Sequence, residues 1–299
     1  MGAADVVPGV SGGTIAFIVG IYDRLITALS GVNADSIRML LKADFKGIWR
    51  HFDGNFLLIL LLGIATSIFG IANIVTSLLV NYPIWLWSFF FGLIIASAYI
   101  LVIEIKEFSK KHALVLVFGV LFGAALSLLV PTQLSINLVM VFFAGMIAIC
   151  AMILPGISGS FLLLMMGMYG YVMEAIKGLD LMVIVVFAGG ALVGLLSFSK
   201  LLHWLLQNAK AMTLSFLTGV MLGALVKVWP WKEVTTYIDV GDKHLPAQEQ
   251  LLLPWQMSGF DAMNGLVIPI ILILLGVMSV LLIHYISLQK NHQGKKSSL

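Results

Sequence analysis

Residues 4–22 read A-D-V-V-P-G-V-S-G-G-T-I-A-F-I-V-G-I-Y, and residues 151–169 read A-M-I-L-P-G-I-S-G-S-F-L-L-L-M-M-G-M-Y. Aligned without a gap at an offset of 147, they share Pro8/Pro155, Gly9/Gly156, Ser11/Ser158, Gly12/Gly159, Gly20/Gly167 and Tyr22/Tyr169. Each copy sets a Pro-Gly-x-Ser-Gly break inside apolar sequence. Helix breakers there strip backbone groups of their partners, which is costly unless the freed groups are used. Paired Gly/Pro-interrupted apolar segments in two halves of a chain point to a transporter's binding site.

The similarity extends outward. Residues 63–97 align with 190–224 at an offset of 127, matching Gly63/Gly190, Asn81/Asn208, Ser88/Ser215, Phe89/Phe216 and Gly92/Gly219. The offset falls from 147 to 127 because about twenty extra residues lie between Ser30 and Asp53. They carry Arg38, Lys42, Lys46 and Arg50 on a weakly amphipathic stretch, read as an interfacial helix, with a solvated loop as the alternative. An apolar arm, 137–154, precedes the second break, whereas seven residues precede Pro8; either the first half lost that arm or relatives start further upstream, the latter being the expectation.

Composition sets the class. Of 299 residues 61% are hydrophobic and only 10% charged, against about 25% charged in a soluble domain. Segments at about 55–80, 83–103, 112–130, 181–206, 211–230 and 264–286 are long enough to cross a hydrocarbon core of roughly 30 Å. The first apolar stretch lacks a basic leader and a small-residue cleavage pattern, so no signal peptide is expected. Cys150 is the single cysteine, which excludes a disulfide framework. No basic stripe interleaved with aromatics suggests nucleic acid.

The motif segments are short. Sixteen helical residues reach only about 24 Å, so a re-entrant hairpin with the break at its tip fits better than a full crossing. Counting charges supports this. With hairpins and a cytoplasmic C-terminus, 13 Lys and Arg fall inside and four (Lys177, Lys227, Lys232, Lys243) outside; full crossings reverse the bias and break the positive-inside rule. Three spans between the motifs then make them enter from opposite faces. The expected fold is an all-α integral membrane protein of about six transmembrane helices plus two re-entrant helical hairpins in an inverted repeat. It is one domain, 1–299, with halves 1–133 and 134–299.

Helices are expected to begin at Thr14 and Phe161, directly after the breaks. A helix start offers unpaired N–H groups and about half a positive charge, and glycines let an anion approach closely. Gly9, Ser11, Gly12, Gly13, Thr14, Gly156, Ser158, Gly159 and Ser160 are the expected phosphate-binding lining. Close helix packing through small residues is the alternative. Ionisable groups near the membrane are candidates for proton or charge coupling. Asp5, whose counterpart is Met152, suits a proton carrier, a loop cap or an interfacial residue. Arg24 suits a topology anchor or a phosphate ligand, and Glu174 lies near a span end, where snorkelling is the plain reading. Trp85, Trp87, Trp204, Trp229, Trp231 and Trp255 suggest an aromatic belt. No H-E-x-x-H, no nucleotide loop with Lys and no Cys/His metal spacing occurs, so neither an enzyme nor a cofactor or metal site is expected.

M-G-A-A-D-V-V-P-G-V-S-G-G-T-I-A-F-I-V-G-I-Y at the front and P-G-I-S-G-S-F-L-L-L-M-M-G-M-Y in the middle resemble the bacterial polyprenyl-phosphate transporter family, over essentially the whole chain. The resemblance implies a flippase returning undecaprenyl phosphate, the lipid carrier of cell-wall (peptidoglycan) precursors, from the outer to the inner leaflet. It implies a multi-pass protein of the bacterial inner membrane with cytoplasmic termini. The expected partners are the polyprenyl phosphate lipid and the membrane, with a homodimer left open. A channel or secondary transporter for a small soluble anion is the alternative, because it would use the same helix ends.

Overall fold

A computed structural model describes residues 1–5, 11–105, 108–129, 137–240 and 243–296. The first half runs α1 (Gly2–Asp5), α2 (Gly12–Ile18), α3 (Tyr22–Leu29), α4 (Ala34–Leu41), α5 (Phe45–His51), α6 (Gly54–Asn81), α7 (Pro83–Glu104) and α8 (Lys110–Ser127). The second runs α9 (Leu138–Ile153), α10 (Gly159–Met165), α11 (Tyr169–Lys177), α12 (Leu181–Asn208) and α13 (Lys210–Val228). A β-hairpin of β1 (Lys232–Val240) and β2 (Lys243–Leu251) then leads through a π-turn at Met263–Val267 into α14 (Ile268–Lys296).

The sequence offsets reappear as element boundaries. α2 and α10 are both seven residues long and start 147 apart, as do α3 and α11 in their first residues. α6 and α12 are both 28 residues long and start 127 apart. The twenty-residue insertion supplies α4 and α5, two short helices in place of the single helix expected, because Ala43 takes a left-handed φ of 50° between them. Leu40, Leu41, Phe45 and Trp49 stand exposed there beside Arg38, Lys42, Lys46 and Arg50.

Among the described residues, six helices are long and apolar enough to cross a membrane: α6, α7, α8, α12, α13 and the helix from Met263 to Ile286. α7 and α13, equivalent in the two halves, are the inner pair: 61% of each is buried, against 6% to 17% of the other four. Each inner helix packs against the last long helix of the opposite half, α13 on α8 and α7 on α14. Gly119 and Gly123 face Gly219 and Gly223 across α8–α13, where a Cβ on Gly119 would come within 3.1 Å of the Gly219 Cα. Between apolar helices in lipid, such backbone approach is what gains contact energy.

The hairpin corrects the all-helical expectation. Val234, Thr235, Thr236, Ile238 and Val240 are β-branched residues in a polar connection, a composition that suits strands. The strands pair antiparallel from Lys232 opposite Leu251 to Val240 opposite Lys243.

Candidate functional site

Both motif helices are built by the same local rules. Ser11 caps α2, its Oγ accepting from the Gly13 N–H at 3.0 Å; Ser158 caps α10, its Oγ accepting from Phe161 N–H at 3.5 Å. The helices therefore start at Gly12 and Gly159, two residues before the expected Thr14 and Phe161, because the serines act as N-caps and the glycines enter the first turn. At the far end the repeated glycines take φ of +71° (Gly20) and +68° (Gly167). Gly20 N–H donates to Phe17 O and Ile21 N–H to Ala16 O; Gly167 N–H donates to Leu164 O and Met168 N–H to Leu163 O. This is the same left-handed C-cap twice, and it explains why that glycine recurs. Beyond it α11 leaves α10 at 109°. On its other side α10 doubles back along α9: a Cβ on Gly159 would run into the Ala148 carbonyl oxygen.

The two breaks meet. α9 ends at Ile153, which leaves its last carbonyls without helical partners. Ser11 Oγ donates to Met152 O at 3.1 Å, and the buried Tyr22 hydroxyl donates to Ile153 O at 3.1 Å. Gly156, at φ +86°, donates its N–H to Thr14 Oγ1 at 2.9 Å. First-half side chains thus satisfy backbone freed by the second-half break. Ser11 and Thr14 are each only 1% exposed, and the Tyr22 ring stacks on Phe17 at 3.7 Å. Gly156 also lies against α13, where a Cβ would sit 3.0 Å from the Met221 Cα. One turn back on α13, Thr218 is fully buried, and its hydroxyl has no hydrogen-bond partner among the described residues.

The breaks differ in charge. Asp5 Oδ1 accepts from the Gly12 N–H at 2.7 Å, so the start of α2 already holds a carboxylate. Met152 occupies the corresponding place before α10, where Ser158 and Ser160 hydroxyls pair at 2.9 Å. Of the expected lining, Ser11, Gly13 and Thr14 meet the second break at Met152, Ile153 and Gly156, Gly12 faces Asp5, and Ser158, Gly159 and Ser160 lie on α10 and its cap against α9; Gly9, like Pro8, lies outside the described residues. Of the three coupling candidates, the structure places only Asp5 at the breaks. Arg24 is at the surface, paired with Asp53 at 2.5 Å and lying over Phe56, and Glu174 is exposed on α11. Distance along the chain made Arg24 look close to the motif; the turn at Gly20 carries it away.

A cavity of about 270 Å³ opens beside the end of α2, lined in part by Phe17, Tyr22, Asp23, Glu104, Lys210 and His284, with Lys210 bonded to Asp23 at 2.8 Å. At the other end of α13, Lys227 and Lys232 converge on Glu249 and touch aromatic faces, which the sequence reading missed. Trp87 and Trp231 are buried there, at 6% and 7% exposure, and so are core residues where a belt was expected. The repeat of Tyr22 as Tyr169 was a signal for the tyrosine contact; nothing in the sequence spacing tied Lys227 to Glu249.

Comparison with known proteins places the chain. Residues 1–244 match the family described as VCA0040-like, undecaprenyl phosphate translocase-like. A polyprenyl-phosphate transporter of Vibrio cholerae is 45% identical over 259 residues, 86% of this chain and 84% of that protein. A polyprenyl-phosphate transporter of Staphylococcus aureus is 35% identical over 250 residues, 77% of this chain and 83% of that protein. No solved structure matches the chain. With its multiple apolar helices and a match of this extent, the chain belongs to the undecaprenyl phosphate translocase-like family.

Proposed function

We propose that this protein carries polyprenyl phosphate, most simply undecaprenyl phosphate, from the outer to the inner leaflet of a bacterial inner membrane, recycling the lipid carrier of cell-wall synthesis. The observation that carries the reading is the meeting of the two breaks, where Ser11, Thr14 and Tyr22 of one half bond backbone of the other. A phosphate cannot cross hydrocarbon unaided, whereas a prenyl tail can stay in lipid. Irregular backbone at membrane depth, lined by small residues and hydroxyls, suits a sheltered headgroup.

In this reading the breaks are tips of re-entrant hairpins entering from opposite faces, and the halves rock against each other as an inverted repeat. The matched elements and the exchange of α8 and α14 between inner helices support it. Inward movement of one negative charge works against an inside-negative potential by about 2.3 kcal/mol per 100 mV. A proton carried on Asp5 or on the phosphate would cancel that opposition.

Two experiments test the reading. In proteoliposomes, a polyprenyl phosphate placed in one leaflet should reach the other only when the protein is present, and polyprenol should not compete. Chloride or sulfate conducted in its place would install the soluble-anion reading. In a Cys150→Ser background, Lys110→Cys should be shielded from an impermeant external thiol reagent and Gln256→Cys should react. Labelling of both from outside would break the inverted arrangement.

A further inference from the structure

Lys227 is in the last turn of α13, and Lys232 and Glu249 are diagonal neighbours near the start of β1 and the end of β2. Lys227 Nζ donates to Glu249 Oε2 at 2.7 Å and Lys232 Nζ to the same oxygen at 3.3 Å. Lys232 Nζ also donates to the Lys227 carbonyl at 2.6 Å. Neither lysine snorkels: their side chains are 13% and 6% exposed, and Glu249 is 13% exposed. Instead each ammonium lies on an aromatic face, Lys227 at 4.7 Å over Phe161 and Lys232 at 4.0 Å over Trp87. Two ammoniums share one carboxylate, so the buried cluster carries one positive charge in excess. Unbalanced buried charge costs several kcal/mol. Burial pulls Lys232 down to about 8, Glu249 only partly offsetting it and Lys227 pushing the same way. Burial would raise Glu249, but the charges and hydrogen bonds of both lysines outweigh it and hold it below the usual range.

The position gives the excess charge a use. Phe161 is in the first turn of α10, and Lys227 is three residues, about one turn, beyond Ala224, which packs on Gly156. Lys227 and Glu249 also line a cavity of about 250 Å³ with Ser127, Thr235 and Gln248. Lys210 starts α13 seventeen residues earlier, about 26 Å away, so this cluster sits at the opposite end of the inner helix from the Asp23–Lys210 pair.

We propose that Lys227 and Lys232, held together by Glu249, form a receiving site for a phosphate monoester on the face opposite the Lys210 end, feeding the second break. The assignment of this site to the transported headgroup rests on the transport reading; the site itself does not. Lys232 is engaged by Glu249, the Lys227 carbonyl and the Trp87 face and adds its charge from behind, whereas Lys227 lines the cavity with N–H groups beyond the one given to Glu249; the cation-rich cluster selects a doubly charged phosphate over a neutral alcohol. Specificity for monoesters follows from charge, since a diester bears one negative charge fewer.

Isothermal titration of the purified protein with farnesyl phosphate, inorganic phosphate and farnesol tests the site. Wild type should bind farnesyl phosphate and not farnesol. Lys227→Met and Lys232→Met should each lose at least tenfold in affinity, whereas Glu249→Gln, which removes the competing charge, should bind at least threefold tighter. If the lysine variants do not fold, the opposite sign of Glu249→Gln still decides, because a purely structural cluster would weaken in all three. Inorganic phosphate binding as tightly as farnesyl phosphate would keep the site but assign it to free phosphate. Unchanged affinity in the lysine variants, weaker binding by Glu249→Gln, or no phosphate binding by wild type would overturn it. Leaflet transfer by wild type alongside such a failure would leave the transport reading standing without this site; phosphate binding without transfer would do the reverse.

Discussion

At the first break the Gly12 N–H is held by the Asp5 carboxylate, and at the second Met152 stands in that place while Ser158 pairs with Ser160. The helices that follow share length, N-cap residue and glycine C-cap. Around the second helix the charge has the opposite sign, with Lys227 against Phe161. Repetition therefore fixed the backbone and left the electrostatics free to diverge.

The sharpest way to break this comparison is steric. A Cβ at Gly159 would strike the Ala148 carbonyl oxygen, which is backbone, whereas one at Gly12 would meet Asp5 carboxylate oxygens at 2.6 and 2.8 Å, the end of a side chain that can turn away. Gly159→Ala should therefore cost about 3 kcal/mol and Gly12→Ala about 1 kcal/mol, read as thermal unfolding in detergent. Equal losses would mean that the two breaks pack alike after all.

Next in size is an exchange of charge. Asp5→Asn keeps an acceptor for the Gly12 N–H and removes the carboxylate, so prenyl phosphate affinity should rise several-fold. Met152→Asp should set a carboxylate before α10 and lower affinity about tenfold, roughly 1.4 kcal/mol. If Asp5→Asn instead abolishes leaflet transfer at unchanged affinity, Asp5 is the proton carrier and its charge is required for turnover.

The smallest effect concerns the matched tyrosines. Tyr22 donates to Ile153 O from a buried position, while no hydrogen bond of the Tyr169 hydroxyl is present among the described residues. Tyr22→Phe should cost about 1 kcal/mol and Tyr169→Phe close to nothing. A larger loss at Tyr169 would show that the second break also reaches across to the first.

How much of this was legible beforehand depended on range. The six long helices, the halves and the repeat offset follow from hydropathy and self-similarity, since a bilayer demands a minimum apolar length and local capping rules act over a few residues. The β-hairpin was hidden because β1 and β2 lie in a polar connection where pairing has to beat a loop. The single interfacial helix became α4 and α5 for a backbone reason, the left-handed Ala43. Gly20 and Gly167 were visible as a match but not as caps.

The amino-acid sequence by itself determined that this is a polytopic membrane protein with a matched Pro-Gly-x-Ser-Gly break in each half, because apolar length and self-similarity are written in spacing; that Ser11 and Ser158 cap the short helices and Gly20 and Gly167 end them was decided by the fold. Only the tertiary structure decided that Ser11, Thr14 and Tyr22 bond across to Met152, Gly156 and Ile153, that Arg24 leaves the motif for Asp53, and that Lys227, Lys232 and Glu249 share one buried cluster. The physical reason is that hydrogen bonds and ion pairs between groups 17 to 142 positions apart depend on how helices cross, which no local pattern encodes.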